Sequence, residues 1–226
     1  MTLEIPDEYK VEHYPNAWER AADHWLHVVA IALAAAGSAW LIWAATTAGR
    51  PGLVIAAALY GAALIAMLAF SAIYNLSRIT PARPFLRRLD EAGIFLMIAG
   101  SYTPFTTQRL EGAWAVGMTS LVWMVAGAGI FGKFAFPKVS ERAWTTIYVL
   151  FGWIAVLALQ PLSHSLPVAA LALLIAGGLA YTGGTLVFLN TRLPFRRAVW
   201  HGFVCAGAGF HYLAILAGVV LAPSAG

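Results

Sequence analysis

Four polar residues that could take part in chemistry lie on either side of a short arginine-rich turn. Ser71 and Asn75 stand four positions apart at the end of one apolar run, and Asp90 and Glu91 open the next run. Residues at positions i and i+4 lie on one face of a helix. The pattern therefore predicts that a hydroxyl, an amide and two carboxylates gather at one edge of a membrane, which makes this edge the candidate site.

Two more pairs with the same spacing lie at the starts of the first and last apolar runs. Arg197 and His201 form one pair, and Asp23 and His27 form the other. Ionisable groups are costly within a membrane, so such residues are functional candidates by default. We expect the ends of the second, third and last runs to converge on one polar cluster. At the start of the first run we expect residues solvated at the membrane surface: Glu19, Asp23, His24 and His27.

The composition indicates that most of the chain lies in a membrane. Of 226 residues, 61% are hydrophobic and 11% are charged, whereas soluble domains are about 45–50% apolar and about 25% charged. A membrane-spanning helix needs about 20 apolar residues, and backbone groups in lipid must bond within their own segment. The sequence predicts an all-α, polytopic membrane protein, a bundle of seven transmembrane helices near residues 25–48, 52–75, 91–108, 113–134, 144–161, 168–190 and 198–222.

The predicted division of the chain follows from these runs. Residues 1–24 form a cytoplasmic segment with an interfacial helix from Ala17, residues 25–222 form the transmembrane domain, and residues 223–226 form a short outer tail. The first segment is acidic and lacks the basic start of a secretory signal, so we expect no cleavage. A single cysteine, Cys205, excludes an intramolecular disulfide.

The distribution of Lys and Arg predicts the orientation of the spans. Arg50 and Arg109 fall on one side of the membrane, and the other twelve of the fourteen fall on the side of the N-terminus. Cytoplasmic loops collect Lys and Arg, so we expect the N-terminus in the cytoplasm and the C-terminus outside. The net charge of +4 follows from this topology and from anionic membrane lipids, the expected partners. Nucleic-acid binding is not expected, and the sequence leaves the oligomeric state open.

Four segments resemble the hemolysin III family, the bacterial relatives of the progestin and adipoQ receptors: HVVAIALAAAG, SAIYN, LRRLDEAGIFLMIAGSYTPF and WHGFVCAGAGFH. The resemblance spans nearly the whole chain, and its third segment is highly specific. It implies seven spans with a cytoplasmic N-terminus, in a bacterial inner (plasma) membrane. The wider superfamily includes alkaline ceramidases, and the resemblance to it implies a zinc site at the cytoplasmic ends of spans two, three and seven. Its pattern is Ser-x3-His, Asp and His-x3-His.

The ligand pattern implied by this resemblance is incomplete in this chain. Ser71, Asp90 and His201 match it, but Asn75 and Arg197 stand where it has the other two histidines. Zinc binds imidazole, thiolate or carboxylate groups, whereas an amide oxygen is a poor substitute and a guanidinium has no lone pair to offer. Zinc is therefore expected only if neighbouring residues complete the ligand set: His24, His27, Asp90 or Glu91.

The start of the first span departs from the family pattern as well. His27 matches a family histidine, but Glu19 and Arg20 stand where the family has a pair of acids. Asp23 stands where it has an asparagine. The resemblance thus adds Glu19, Asp23 and His27 to the candidate site residues.

Arg197 brings a fixed positive charge to the place where the charge of a metal would lie. Asp90 is the nearest expected anion on the facing helix end. Because a buried charge needs a partner, we expect an Arg197–Asp90 ion pair, supported by Asn75 and Ser71, to replace the metal structurally. In the alternative interpretation, Arg197 extends to anionic headgroups beside Arg196.

The sequence leaves several classes of function open. The first is a non-catalytic or weakly catalytic membrane protein that senses or organises lipid. The second is a zinc-dependent hydrolase of a lipid amide or ester, in which His201 is a metal ligand and Ser71 and Asp90 are the catalytic candidates. A pore former ranks lower because no span has the polar stripe of an ion path. A transporter ranks lower still because neither mid-membrane carboxylates nor broken helices are expected.

Overall fold

The computed structural model describes residues 12–222 and shows helices joined by short turns, with no strand in that range. Residues 1–11 and 223–226, which contain much of the predicted N-terminal segment and the whole predicted outer tail, lie outside the described residues. A 3₁₀ segment covers Ile154–Ala158, and a π-helical turn covers Leu216–Val220. The helices in chain order are α1 (Ala17–Thr47), α2 (Pro51–Leu76), α3 (Arg83–Gln108), α4 (Gly112–Ala135), α5 (Glu141–Gly152), α6 (Leu159–Ser165), α7 (Val168–Leu189) and α8 (Arg196–Ile215).

Six helical segments among residues 12–222 are long and apolar enough to cross a membrane. They are α1, α2, α4, the segment from Glu141 to Ser165, α7, and α8 with its π-helical turn. The remaining long helix is α3. It has 26 residues and so is about 39 Å long. Both of its ends are polar, and its composition does not meet the same standard of apolarity. Six of the seven predicted membrane spans are therefore supported, and the predicted span within α3 is not.

The helix α3 runs antiparallel along the whole of α2. Gly93 packs against Met67 near one end of α2, and Gln108 contacts Gly52 at the other end. A β-carbon at position 93 would lie 3.1 Å from the Cα atom of Met67, so the glycine permits this close approach. Small residues have the same role where membrane helices pack closely.

Two helix starts have clear local causes. The α1 helix begins at Ala17 after Asn16, whose side-chain oxygen accepts a hydrogen bond from the Glu19 amide at 3.0 Å. It then continues without a break through the first apolar run. The α3 helix begins at Arg83, well before the predicted position 91, because Pro84 occupies its first turn. Proline suits that position, where no amide hydrogen is needed within the helix.

At the end of the bundle opposite Ser71 lie Arg50 and Arg109, the two basic residues predicted to be on the outer side of the membrane. Arg50 Nη1 donates to the carbonyl oxygen of Val219 at 3.0 Å, and Arg109 Nη2 lies 3.5 Å from the same oxygen. The last carbonyls of a helix have no partner within the helix. This one carbonyl group therefore connects three parts of the chain: the link between α1 and α2, the end of α3 and the end of the last helix.

The fifth apolar run is broken, although one span over residues 144–161 and no broken helix were predicted. The α5 helix ends at Gly152, and Pro161 lies in the first turn of α6, where its missing amide hydrogen is tolerated, so no α-helical bond joins residue 161 to the carbonyl four residues earlier. The hydroxyl of Tyr102 in α3 donates to the Gly152 carbonyl at 2.8 Å and accepts from the Ala155 amide at 2.8 Å. One side chain thus pairs two backbone groups that the break exposes, as an apolar environment requires.

Replacement of Tyr102 by phenylalanine is expected to lower the free energy of unfolding by about 1–3 kcal/mol, because two backbone groups at the break lose their partner in an apolar environment. Titration with a denaturing detergent measures this change. Tyr212→Phe is the matched control, since Tyr212 donates one bond, at 3.2 Å, to the Gly37 carbonyl within α1, and it should cost less. Equal losses in the two variants would contradict this account of the break.

Candidate functional site

Side chains from four helices meet at the end of the bundle where α1 and α8 begin and α2 ends. The predicted convergence of the second, third and last runs is present, and α1 joins it. Three i, i+4 pairs supply most of the group, because each pair shares a helix face. We call this group the polar cluster, and its members are Asp23, His27, Ser71, Asn75, Asp90, Arg197 and His201.

Asp23 is fully buried at the centre of this arrangement. Its Oδ1 atom lies 2.6 Å from Nδ1 of His201, and its Oδ2 atom accepts a hydrogen bond from the hydroxyl of Tyr14. Asp23 is 0% exposed and His27 is 2% exposed, so the prediction of solvated surface residues is wrong for both. A buried carboxylate needs such partners, because its desolvation costs several kcal/mol.

Two imidazole rings converge on one hydroxyl group. His27 Nε2 and His201 Nε2 each lie 3.3 Å from Oγ of Ser71. Nδ1 of His27 lies 2.8 Å from the carbonyl oxygen of Asp23, and Nδ1 of His201 faces the Asp23 carboxylate. An acceptor opposite Nδ1 assigns the hydrogen to that nitrogen, so in a neutral ring Nε2 carries the lone pair. The Asp90 carboxylate is also hydrogen-bonded to the Ser71 side chain, so the single proton of Ser71 can be donated to one of the two rings or to Asp90.

Arg197 bonds to Asn75 and not to Asp90. Its Nη1 atom donates to Asn75 Oδ1 at 2.5 Å, and Asn75 Nδ2 lies 3.5 Å from Asp90 Oδ2. No ion pair joins Arg197 to Asp90 within the described part of the chain, so the predicted pair is wrong. The amide of Asn75 lies between the two charged groups: its oxygen accepts from Arg197, and its nitrogen is directed towards Asp90.

The residues just before α1 cover the cluster. Arg197 Nε donates to the carbonyl oxygen of His13 at 3.3 Å, and Nδ1 of His13 donates to the carbonyl oxygen of Asn75 at 3.3 Å. Burial, and secondarily the charge of Arg197, lower the pKa of His13 to about 3. Burial and the bond to Asp23 raise the pKa of the Tyr14 hydroxyl above its usual range. Sequence reasoning missed His13 and Tyr14, because this polar segment has no apolar period that would signal contact.

Three of the sequence candidates lie outside the cluster. Glu19 lies in the first turn of α1, where its amide donates to Asn16 Oδ1 and its carboxylate accepts from Asn16 Nδ2, and His24 is exposed. Glu91 pairs instead with Arg87 at 3.0 Å and with buried Lys133 at 2.7 Å. Neither His24 nor Glu91 therefore completes a ligand set around His201.

A cavity of about 220 Å³ extends from the polar cluster into the bundle between α3, α5, α7 and α8. Six members of the cluster lie in its wall, namely His27, Ser71, Asn75, Asp90, Arg197 and His201, whereas Asp23 is not part of the wall. Away from this end the wall is largely apolar and includes Ile94, Met97, Ile98, Val149 and Val204. Pockets with apolar walls and a few placed polar groups are typical ligand sites.

The zinc site implied by the sequence resemblance does not fit this geometry. A guanidinium and the amide it bonds occupy two of the three histidine positions, and Arg197 offers no lone pair. A different group, Asp23, His27 and His201, is buried, and one potential ligand atom from each lies within 4.8 Å of the others. This group could hold a metal ion. An ion between Asp23 and the Nδ1 atoms would have to displace the bonds that these atoms already make.

Comparison with known proteins agrees with the composition and the fold. Residues 19–219 match the sequence profile of the family described as Haemolysin-III related. The chain is 32% identical over 176 residues to Hemolysin-3 of Bacillus cereus, covering 78% of this chain and 80% of that protein. It is 28% identical over 205 residues to the Hemolysin-3 homolog of Bacillus subtilis, covering 91% and 96%. It is 28% identical over 207 residues to the human Monocyte to macrophage differentiation factor, covering 89% and 84%.

Replacement of Arg197 by alanine is expected to lower the free energy of unfolding by about 1.5–3 kcal/mol, because Asn75 and His13 lose a charged donor. Arg192→Ala, which removes an exposed cation from the preceding turn, is the control and should cost less than about 0.5 kcal/mol. Unfolding in mixed micelles measures both values. If Arg197→Ala were as stable as Arg192→Ala, the bond to Asn75 would have no structural role.

Proposed function

Because this chain belongs to the Haemolysin-III related family, we propose that it binds one membrane lipid in the cavity and thereby senses the lipid composition of the membrane. The observation that carries the proposal is a cavity with the polar cluster at one end and an apolar wall beyond it. An amphiphile matches both parts. Typical small-molecule pockets have about 300–1,000 Å³, so the present 220 Å³ suits a polar head with the first part of one acyl chain.

The proposed sensing follows from contacts between the cluster and the segment before α1. Arg197 donates a hydrogen bond to the His13 carbonyl oxygen, and the Tyr14 hydroxyl donates to Asp23. A lipid head that accepts a hydrogen bond from Arg197 competes with Asn75 Oδ1 and with the His13 carbonyl oxygen. Lipid binding would therefore change how firmly this segment is held.

The proposal includes seven spans in a bacterial inner membrane, with the N-terminus cytoplasmic and the C-terminus outside. Support for α3 as a span comes from its packing along the whole of α2, which is itself apolar enough to cross. Support for the orientation comes from Arg50 and Arg109, which meet at the end opposite the cluster. The remaining basic residues among residues 12–222 fall on the cluster side of such a bundle, and cytoplasmic loops are the ones that collect basic residues.

A tryptophan at position 94 tests the cavity. Ile94 lies one helical turn from Asp90 in the cavity wall, so Ile94→Trp should fill the space beside the cluster. The wild-type protein, purified in detergent, is expected to retain one lipid per chain by mass spectrometry, and Ile94→Trp is expected to retain at least about tenfold less, a loss of about 1.4 kcal/mol in binding.

Leu96→Trp provides the matched control, because Leu96 lies on the same helix outside the cavity wall and should retain the lipid. Equal lipid retention by Ile94→Trp and the wild type would contradict the proposal. So would a wild-type protein that keeps no lipid after exchange into a second detergent.

A second candidate function, a metal-dependent hydrolase of a lipid amide or ester, is favoured by one observation, the buried group of Asp23, His27 and His201. A bound divalent metal would polarise the substrate carbonyl and lower the pKa of a bound water. Within this chain, the two Nε2 atoms that face Ser71 are the available nitrogen donors, and Asp23 orients one of the rings. Orientation of a ligand histidine by a carboxylate is common in metal sites.

Elemental analysis tests the second candidate. If it holds, the purified protein contains about one zinc per chain, and both His27→Ala and His201→Ala lose at least about 90% of it, because each removes a nitrogen ligand and even the loss of a residue that only orients a ligand costs about 10–100-fold in affinity. His24→Ala is the control, since His24 is exposed on the same helix. Zinc that remains in His27→Ala and His201→Ala, or a wild-type protein that takes up none on dialysis, would reject it.

A further inference from the structure

Asp23, His201 and Ser71 form a continuous hydrogen-bonded chain across three helices. Asp23 Oδ1 lies 2.6 Å from His201 Nδ1, and His201 Nε2 lies 3.3 Å from Ser71 Oγ. A buried acid, an imidazole and a hydroxyl in this order constitute the arrangement in which a serine acts as a nucleophile. The distance from the hydroxyl to the imidazole is within the looser range seen in proteins without substrate.

The exposure of the three side chains to the cavity matches the role that each would have in nucleophilic attack by the serine. Ser71 and His201 lie in the cavity wall and are 8% and 6% exposed. Asp23 lies behind His201, outside the wall, and is 0% exposed. The hydroxyl and the imidazole can thus reach a molecule bound in the cavity, whereas the carboxylate lies outside the wall, where it bonds to His201 and Tyr14.

His201 is the base in this arrangement, although His27 lies equally close to Ser71. The proton on Nδ1 of His201 faces a carboxylate oxygen, which stabilises the imidazolium that forms when Nε2 takes a proton. The proton on Nδ1 of His27 faces a neutral backbone carbonyl at 2.8 Å, and the nearer carboxylate oxygen of Asp23 is 3.7 Å away. The positive charge is therefore more stable on His201.

Asn75 supplies an oriented donor beside the hydroxyl. Because a guanidinium can only donate, the atom of Asn75 that faces Arg197 Nη1 at 2.5 Å must be the oxygen. The Nδ2 atom is consequently directed towards Ser71, 3.3 Å from Oγ. Donors fixed next to a nucleophile stabilise the negative oxygen that develops when it attacks a carbonyl. Arg197 acts through Asn75 as a positioning residue.

We propose that Ser71 is the nucleophile of a lipid ester hydrolase, with His201 as general base and acid, Asp23 as its positioning residue and Asn75 as a donor to the oxyanion. The proposal rests on the proposed binding of lipid in the cavity, because the apolar wall holds the acyl chain that leads to the ester. It assigns a reaction to the site and requires no metal ion.

The reaction uses water as its second substrate. Ser71 Oγ forms a bond to the carbonyl carbon, and its proton moves to His201 Nε2. The carbon–oxygen bond to the leaving alcohol then breaks, the alcohol takes the proton from His201, and an acyl ester of Ser71 remains. Water attacks that ester, gives a proton to His201, and the proton returns to Ser71 Oγ as the carboxylic acid leaves. The net change is one ester and one water to one carboxylic acid and one alcohol.

An alkyl fluorophosphonate tests the nucleophile directly. The full chain in detergent micelles is treated with the probe and analysed by intact mass and peptide mapping, with and without EDTA. We expect one adduct, on Ser71, formed with loss of fluoride at the same rate with EDTA. Ser71→Ala should form none, and Ser77→Ala should label as the wild type does, since Ser77 caps α2 by bonding the Tyr74 carbonyl.

Positioning by Asp23 has a separate readout. Asp23→Asn is expected to slow labelling of Ser71 by at least about 100-fold, the scale of general-base assistance, and Asp23→Glu should recover part of that rate because it restores the carboxylate. If the labelling rate instead fell only in proportion to the stability of each variant, and Asp23→Glu recovered none of it, Asp23 would have a structural role alone.

Two outcomes overturn the inference, and both are distinct from failure of lipid binding. A wild-type protein that retains lipid but forms no adduct on Ser71 leaves the proposed lipid binding intact and removes the nucleophile. Labelling that EDTA abolishes and zinc restores would replace the serine mechanism by a metal-dependent one. An adduct on Ser71 in a protein that retains no lipid would instead refute the proposed lipid binding, and with it the assignment of a lipid ester as substrate.

Discussion

A buried anion in the first helix is the constraint on which the site depends. The Asp23 carboxylate is fully buried, and an unpaired charge in such surroundings would cost several kcal/mol. His201 and Tyr14 each donate to one of its oxygens. The first helix, the last helix and the segment before α1 are therefore held by one group. The same bond sets the plane and tautomer of His201, and so determines which nitrogen faces Ser71.

The same demand for partners explains irregular features elsewhere in the bundle. At the break after α5, the Tyr102 hydroxyl pairs one carbonyl and one amide that no longer bond within a helix. At the opposite end from the cluster, Arg50 and Arg109 converge on the carbonyl of Val219. In an apolar environment water does not supply these bonds. Long polar side chains from neighbouring helices supply them, and in doing so they connect elements that are distant in sequence.

Sequence reasoning predicted most helices, because their length and apolarity follow from the thickness of a membrane. The four-residue spacing also predicted shared faces, as for Arg197 and His201. Spacing along one helix does not determine which atom a long side chain reaches across the bundle, so the partner of Arg197 is Asn75 and not the predicted Asp90. The burial of Asp23 depends on a hydroxyl from a segment without apolar periodicity, and no pattern in the sequence signals that contact.

The bond between Arg197 and Asn75 has a consequence for the divergence of such chains. A histidine at position 75 alone would set an imidazole against a guanidinium and remove the amide oxygen that accepts from it. A histidine at position 197 alone would leave the orientation of the Asn75 amide unfixed. Each residue thus determines which side chains are tolerated at the other position, and the two positions are expected to covary among related chains.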